Sequence, residues 1–359
     1  MDDVTLENTI KKTIEYCLYL REKFPNEGQL DRFNTIEFSW HGGEPLLAGI
    51  NFYKKALFIQ EKWAENLFMA DCGLRIVNKV QTNGSLITRE FAKFFKENNF
   101  SVGVSIDGYK EINDKTRIYP NSNGTFDKIM KGIGNLKKEG AIYGGLLVVS
   151  KNSIGKEKEI FNFFNSNKID MQVSPLYKSG RANENAEVSI TPGEYLFFMK
   201  KMLKLYVDEE KLNIRIKDLD CQIDSALYKI PSPYCRHSAS CIKKKNTFGI
   251  DYDGTMYPCN RYVGMKEFIF GNINDSDVKT ALWESSLAKR LEKRLEWAGN
   301  QEKCNHCSMA KDGICKKTAG CVYGAFSSSK TLYSYDPYCD VEDSIYQYSN
   351  EIVSKKVSE

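Results

Sequence analysis

The chain has 359 residues, 42% of them hydrophobic and 27% charged, an ordinary balance for a globular protein with a substantial core. Its 51 Lys and Arg stand against 47 Asp and Glu, and the net charge of +4 is spread among acids, which argues against a nucleic-acid partner. No apolar run reaches the ~18 residues of a membrane span, and the acidic, amphipathic start MDDVTLENTI is not a secretory signal, so a cytoplasmic location is expected.

Helical periodicity covers residues 5–24, with Thr5 as the expected cap. The β-branched and aromatic run TIEFSW (35–40) reads as a strand, followed by a helix over 51–68. The alternation continues with strand 75–83, helix 88–99, strand 101–107, helix 125–140 and strand 142–150. Helix 156–167, strand 170–176 and helix 191–210 close the series. Apolar strands alternating with helices imply a parallel sheet covered by helices, as an open sheet or a barrel. The series begins with a helix, so one strand is missing from its front. The pairs Phe94–Phe95 and Phe163–Phe164 have the spacing of core residues. From about residue 230 the elements are expected to be short, with Gly, Pro and Cys between them. TFGIDYDGTMYPCN (247–260) reads as a hairpin turning at Asp253 and Gly254. A domain boundary is expected between Leu219 and Tyr234, giving domains 1–219 and 220–359.

In a reducing compartment structural disulfides are rare, so eleven cysteines need another reason. Cys17, Cys72 and Cys221 are scattered and read as small buried hydrophobes. The other eight lie between Cys235 and Cys339, which points to metal ligation. Cys304 and Cys307 are two residues apart, so one tight turn can aim both sulfurs at one centre. Cys235 and Cys241 form a looser pair, Cys259 ends the hairpin, and Cys315, Cys321 and Cys339 complete the set. Eight thiolates match two four-cysteine sites, which could be iron–sulfur clusters or structural zincs. His237 and His306 sit among them as spectators, since the sulfurs already fill two sites.

Three successive predicted strands end in glycine plus polar groups: HGGEP (41–45), QTNG (81–84) and SIDG (105–108). Each alone could be a plain turn. In phase they mark the carboxyl edge of a parallel sheet, where ligands bind.

The stretches FSWHGGEPLL, QTNGSLI, VGVSIDGYKEINDKTR and NGTFDKIMKGI, in this order and spacing, resemble the radical S-adenosylmethionine (SAM) superfamily. They most resemble its members with a C-terminal SPASM domain, which include anaerobic sulfatase-maturing enzymes and maturases of ribosomally made peptides. The similarity runs over nearly the whole chain. It implies an α/β fold: a partial (β/α)6 barrel missing its first strand, plus a small cysteine-rich SPASM domain. It implies that Gly42, Gly43 and Glu44 bind the SAM amino group, with Gln81, Asn83, Ser105, Asp107 and Arg117 toward its ribose and carboxylate. It implies one auxiliary [4Fe–4S] cluster on Cys235, Cys241, Cys259 and Cys321 and a second on Cys304, Cys307, Cys315 and Cys339. The gaps flanking Cys315 are longer than the family pattern. The implied partners are a peptide or protein substrate and an electron donor such as flavodoxin or ferredoxin, in an anaerobic cytoplasm.

Two departures stand out. The C-x3-C-x2-C loop that holds the SAM-cleaving [4Fe–4S] cluster in this superfamily is not in the sequence, and Cys17 and Cys72 are too isolated to replace it. The expectation is an N-terminal truncation, because MDDVT falls where relatives carry a similar Met-led stretch after that loop and the SAM-side residues remain. A third cluster is expected only with that segment, and the polypeptide as written is not expected to cleave SAM. The alternative is a non-catalytic pseudoenzyme that binds a peptide and keeps structural metal sites. The second departure is Asn260, where sulfatase-maturing enzymes have an aspartate base. An amide does not take a proton at neutral pH, so the resemblance does not extend to formylglycine formation by that route. Asp253 or Asp251 could stand in for that base, though nothing in the sequence requires it.

Overall fold

Helix α1 (Asp3–Lys23) begins two residues before its apolar periodicity does. Asp2, not Thr5, caps it: the Asp2 carboxylate accepts the Thr5 amide at 2.8 Å, satisfying an amide that has no partner within the helix. The structure, a computed structural model, describes residues 1–24, 34–67, 69, 73–177 and 186–358.

The alternation then follows the sequence closely: β1 (Thr35–Trp40), α2 (Ile50–Asn66), β2 (Arg75–Thr82), α3 (Arg89–Glu97) and β3 (Ser101–Ser105). A short helix that periodicity did not reveal, α4 (Lys110–Thr116), precedes α5 (Phe126–Glu139), β4 (Ile142–Val149), α6 (Glu157–Asn167), β5 (Met171–Pro175) and α7 (Pro192–Asp208). The five strands lie in the order β1-β2-β3-β4-β5. β1 and β2 pair in parallel from Thr35 opposite Arg75 to Trp40 opposite Val80, and β4 and β5 from Gly145 opposite Met171 to Val149 opposite Pro175. Sequential order with a helix between neighbours is the βαβ pattern of a partial radical SAM barrel.

Beyond α8 (Lys217–Tyr228) and the single turn α9 (Cys235–Ser238), the hairpin forms as expected, with β6 (Gly249–Ile250) antiparallel to β7 (Thr255–Tyr257). A further strand, β8 (Gly271–Asn272), adds to β7. The helices that follow are α10 (Val278–Glu284), α11 (Ser286–Gly299), α12 (Glu302–His306), α13 (Ser308–Lys311), α14 (Val322–Ser329) and α15 (Cys339–Ser358). The expectation that helices shorten here fails for α11 and α15, which have 14 and 20 residues. Among the described residues no helix is long and apolar enough to cross a membrane.

Two compact units interleave along the chain. The first comprises Met1–Thr82, Glu90–Val102 and Ser240–Leu295. Leu6, Ile10 and Ile14 of α1 pack there with Ile36 and Phe38 of β1 and Ala56 and Ile59 of α2, and Cys17 lies half-buried against this cluster. The Lys12 ammonium donates to the carbonyls of Ile273 (2.6 Å) and Ser276 (3.1 Å), fastening α1 to the segment after β8. The second unit comprises Asn83–Arg89, Gly103–Ala239 and Glu296–Glu359, with α15 packed on α7 and α8. Phe94, Phe95 and Phe164 are buried as their spacing predicts, and Phe163 is half-buried against Phe126. Cys221 is half-buried, and Cys72 lies outside the described residues.

Candidate functional site: strand-end loops and cysteine quartets

In the first unit the end of β1 is fixed by a buried polar knot. The Trp40 indole donates to Asn78 Oδ1 (2.9 Å), and the Asn78 and Gln60 amides exchange two hydrogen bonds (2.8 and 3.0 Å). The chain then turns through Gly42, whose φ of +148° only glycine adopts without strain. No atom lies within 4 Å of where a β-carbon would stand at Gly42 or Gly43, so this backbone is open to close approach. His41 Nδ1 accepts the Gly42 amide (2.8 Å), and shielding from water holds its pKa below the ordinary value, the Arg261 charge acting in the same direction. Glu44 Oε1 accepts from the Leu46 amide (3.1 Å) and from the Thr82 hydroxyl (2.7 Å) at the end of β2, so its carboxylate is held in one orientation beside the glycines. Gln81 is the neighbour of that threonine in β2.

In the second unit Asn83 Oδ1 accepts from the Ser85 amide and hydroxyl (2.9 and 2.7 Å), closing the turn after β2. Ser105 ends β3. Asp107 is buried and commits both oxygens: Oδ1 to Arg117 Nη2 (2.8 Å) and the Val148 amide (3.1 Å), Oδ2 to the Thr116 hydroxyl (3.0 Å). The structure thus joins two of the candidate SAM residues, Asp107 and Arg117, as an ion pair. Among the described residues the buried Arg117 Nε has no hydrogen-bond partner.

The late cysteines of the second unit converge. Cys304 in α12, Cys307 at the cap of α13, Cys315, and Cys339 at the start of α15 line a cavity of about 240 Å³, together with Lys303, His306, Lys317, Asp340 and Asp343. All four are free thiols. Burial pushes the Cys307 thiol up to about 12, with the neighbouring Asp343 adding to the rise. Burial also raises Cys339, followed by the effect of Cys315. Thiols this protected keep their protons until a metal centre displaces them. Asp343 accepts from the Met309 amide (2.9 Å) and from Cys307 Sγ (3.3 Å). His306, at the cavity edge, is exposed and faces the Glu302 carbonyl (3.1 Å).

The cavity also bears on zinc versus cluster. Four thiolates on one zinc stand about 3.8 Å apart, given Zn–S bonds of about 2.3 Å. Among the described residues no three Cys, His, Asp or Glu side chains close on a single ion. Four thiolates are also the ligand set of a [4Fe–4S] cluster, and all four line this one cavity.

The remaining quartet is distributed over the two units. Cys241 and Cys259, both half-buried, belong to the first, and Cys259 directly follows the β7 hairpin strand region. Asp253 there accepts the Thr255 amide (2.9 Å) and serves the turn. Cys235, the first residue of α9, and Cys321, at the cap of α14, belong to the second. The Lys316 amide donates to the His237 carbonyl (2.8 Å), and the Thr318 hydroxyl donates to the Arg236 carbonyl. Arg236 is half-buried between Glu342 (3.1 Å) and Asp218 (3.5 Å), and Asp218 in turn accepts the Val173 amide of β5 (2.7 Å). Burial raises both carboxyls against the opposing pull of Arg236. His237 faces Ser232 (2.6 Å), and burial with the Arg236 charge holds it down to about 3, a neutral ring away from the cysteine cavity.

A partial barrel with glycine-rich strand ends, joined to a cysteine-rich region, defines a radical SAM protein with a SPASM domain. Residues 241–308 match the SPASM iron–sulfur cluster-binding domain. A cysteine-type anaerobic sulfatase-maturating enzyme of Clostridium novyi is 32% identical over 77% of this chain and 72% of its own length. A serine-type counterpart from Bacteroides thetaiotaomicron is 30% identical over 72% of this chain and 68% of its own. The solved structure of anSMEcpe with bound AdoMet and Cp18Cys peptide superposes with a TM-score of 0.78, at 26% identity, over 100% of this chain and 91% of that one. The chain belongs to the anaerobic sulfatase-maturating enzyme family of radical SAM/SPASM maturases.

Sequence reasoning missed Thr82, which orients Glu44, and Lys303, Asp340 and Asp343 around the cavity. Thr82 lay inside the QTNG motif unremarked. Asp340 and Asp343 follow Cys339 in the first turns of α15, but a helix there was needed to see which residues face the cysteines.

Proposed function

We propose that this chain carries the SAM-positioning and auxiliary-cluster parts of a maturase that oxidises a peptide or protein side chain. Residues 1–219 supply the radical SAM core, and 220–359 the SPASM domain. When bound, SAM supplies a radical able to abstract a substrate hydrogen, and iron–sulfur clusters supply one-electron transfer. Gly42 and Gly43 would let SAM's amino group approach their backbone, with the fixed Glu44 carboxylate accepting from it. Gln81, Asn83, Ser105 and the Asp107–Arg117 pair would face its polar groups, with Arg117 Nε the orphaned donor. Cys304, Cys307, Cys315 and Cys339 would hold one [4Fe–4S] cluster, and Cys235, Cys241, Cys259 and Cys321 the other. An acidic electron carrier such as flavodoxin or ferredoxin is the expected donor, in an anaerobic cytoplasm. Asn260 cannot act as the base, so the reaction at Cys or Ser is not assigned to the sulfatase route.

The cysteine cavity of the second unit is the observation that carries this reading. After anaerobic reconstitution, about eight irons with matching acid-labile sulfide are expected per chain. Two zincs and no sulfide would overturn it. SAM is expected to bind, and Glu44→Gln to weaken binding roughly tenfold or more, the loss of a charged hydrogen bond worth about 1.5–3 kcal/mol. These 359 residues contain no C-x3-C-x2-C loop and are expected to bind SAM without cleaving it reductively.

A further inference from the structure

Asp336 is a carboxylate that neither the sequence motifs nor the proposed ligand sets use, yet it is only 3% exposed. Its Oδ2 accepts the amide of Cys321 (2.9 Å), and its own carbonyl accepts the amide of Cys339 (3.0 Å). One residue is therefore bonded to a cysteine of each quartet. Its amide donates to the Ala319 carbonyl (3.0 Å), so the segment leading into Cys321 is pinned at two points. The other carboxylate oxygen accepts the Tyr338 amide (3.1 Å), and the Tyr177 hydroxyl lies 3.4 Å from Oδ2. A turn closed by an aspartate needs only one of its oxygens; here the second reaches across to Cys321.

The surrounding sequence makes room for this carboxylate. A β-carbon at Gly320 would stand 2.4 Å from Asp336 Cβ, and one at Gly324 would stand 2.6 Å from Asp336 Oδ1. Gly320 directly precedes Cys321 and Gly324 follows it by three residues, and any larger residue at either position would displace the aspartate.

We propose that Asp336 is a positioning residue for a cysteine of each quartet, holding Cys321 and Cys339 in register and placing a fixed negative charge beside both that lowers the reduction potentials of their centres. This rests on the reading of Cys321 and Cys339 as cluster ligands. Cluster potential depends on net charge and hydrogen bonding near the sulfurs, and a charge in a low-dielectric interior acts strongly. Adding an electron beside a carboxylate is disfavoured. The larger effect falls on the Cys321 centre, to which the side chain is directly bonded.

The test is an EPR-monitored redox titration of the reconstituted chain beside Asp336→Asn and Tyr177→Phe. The asparagine keeps an oxygen for the Cys321 amide and removes the charge. Both midpoint potentials are expected to rise, the Cys321 centre by about tenfold in the ratio of reduced to oxidised cluster, or ~59 mV for one electron. Tyr177→Phe removes a neutral donor from the carboxylate, concentrating its charge, so a smaller fall is expected. Failure of the parent chain to load two clusters would overturn the ligand reading itself. Full loading of Asp336→Asn with unchanged potentials would overturn this inference alone. If that variant does not fold, Tyr177→Phe decides: a lowered potential supports the role, and an unchanged one refutes it.

Discussion

The two cysteine quartets proposed as cluster ligands are distributed differently over the two compact units. Cys304, Cys307, Cys315 and Cys339 all belong to one compact unit and already line one cavity. Cys235 and Cys321 belong to that unit as well, but Cys241 and Cys259 belong to the other. The first quartet lies on or beside local helices, α12, α13 and α15, within one unit. The residues of the second belong to elements far apart in sequence: Cys259 follows the β6–β7 hairpin of the first unit, and Cys235 and Cys321 adjoin the Arg236 and Asp336 networks of the second. One proposed quartet lines a single cavity within its unit, and the two are expected to respond differently to damage.

Removing a ligand is the largest perturbation. Cys315→Ser is expected to abolish the cluster of the one-unit quartet and spare the other, so iron falls from about eight to about four per chain, with sulfide in step. Iron unchanged at about eight would show that Cys315, with its long flanking gaps, is not a ligand. Next comes Arg236→Ala. Arg236 links Asp218, and through it β5, to Glu342 in α15, so its loss leaves two buried carboxylates without their counter-charge. Breaking a buried ion pair costs about 3–5 kcal/mol. Denaturant unfolding of the metal-free chain should show that loss, and reconstitution should suffer at both quartets, since Arg236 adjoins Cys235 and Glu342 follows Cys339 on α15.

The barrel part was legible in the sequence because its strands are β-branched runs between turn residues. β1 was read to the residue, and β2, β3, β4 and β5 within two. Helix α4 was not, because YKEINDKT is too short and polar to show a periodicity. The start of α1 was misplaced because Asp2 outcompeted Thr5 as the cap. In the last third the cysteines were found by spacing, whereas α11 and α15 were not, because frequent Gly, Pro and Cys nearby masked their amphipathic pattern. Glu44 and its glycines were legible as a motif. The Thr82 hydroxyl that orients Glu44, and Asp336, which ties Cys321 to Cys339, were not, since each acts through a tertiary contact that no local spacing encodes.

The hairpin end of the divided quartet can be loosened separately. Gly254 turns at φ +89°, and a β-carbon there would stand 2.7 Å from Asn272 Oδ1 and 2.8 Å from Asn274 Nδ2. A left-handed alanine costs about 1–2 kcal/mol before any clash. Gly254→Ala is expected to lower the occupancy of the centre containing Cys259 while the Cys304 quartet keeps its iron, measured as iron content together with the two EPR signals. Equal loss at both centres would show that the quartets are not independent in the way their unit assignments imply.

The smallest effect serves as the control on that independence. Thr191 caps α7: its hydroxyl accepts the Glu194 amide (3.2 Å), and Glu194 Oε2 accepts the Thr191 amide in return (2.8 Å). Thr191→Ala should cost about 1 kcal/mol, read from denaturant unfolding, with both clusters at parental occupancy. The same cap carries a pH signature. Glu194 is held down to about 2, first by its hydrogen bond from Lys151 and then by the Thr191 amide. A carboxyl with a lowered folded pKa contributes fully above its ordinary range near 4.5 and loses that contribution as pH falls toward 2. Glu194→Gln should therefore flatten the acid limb of stability of the metal-free chain. The effect should be modest, because the pair is partly open to solvent and screened. An acid limb unchanged by Glu194→Gln would mean that the cap holds α7 through its neutral hydrogen bonds alone, and that the Lys151 contact adds no stability.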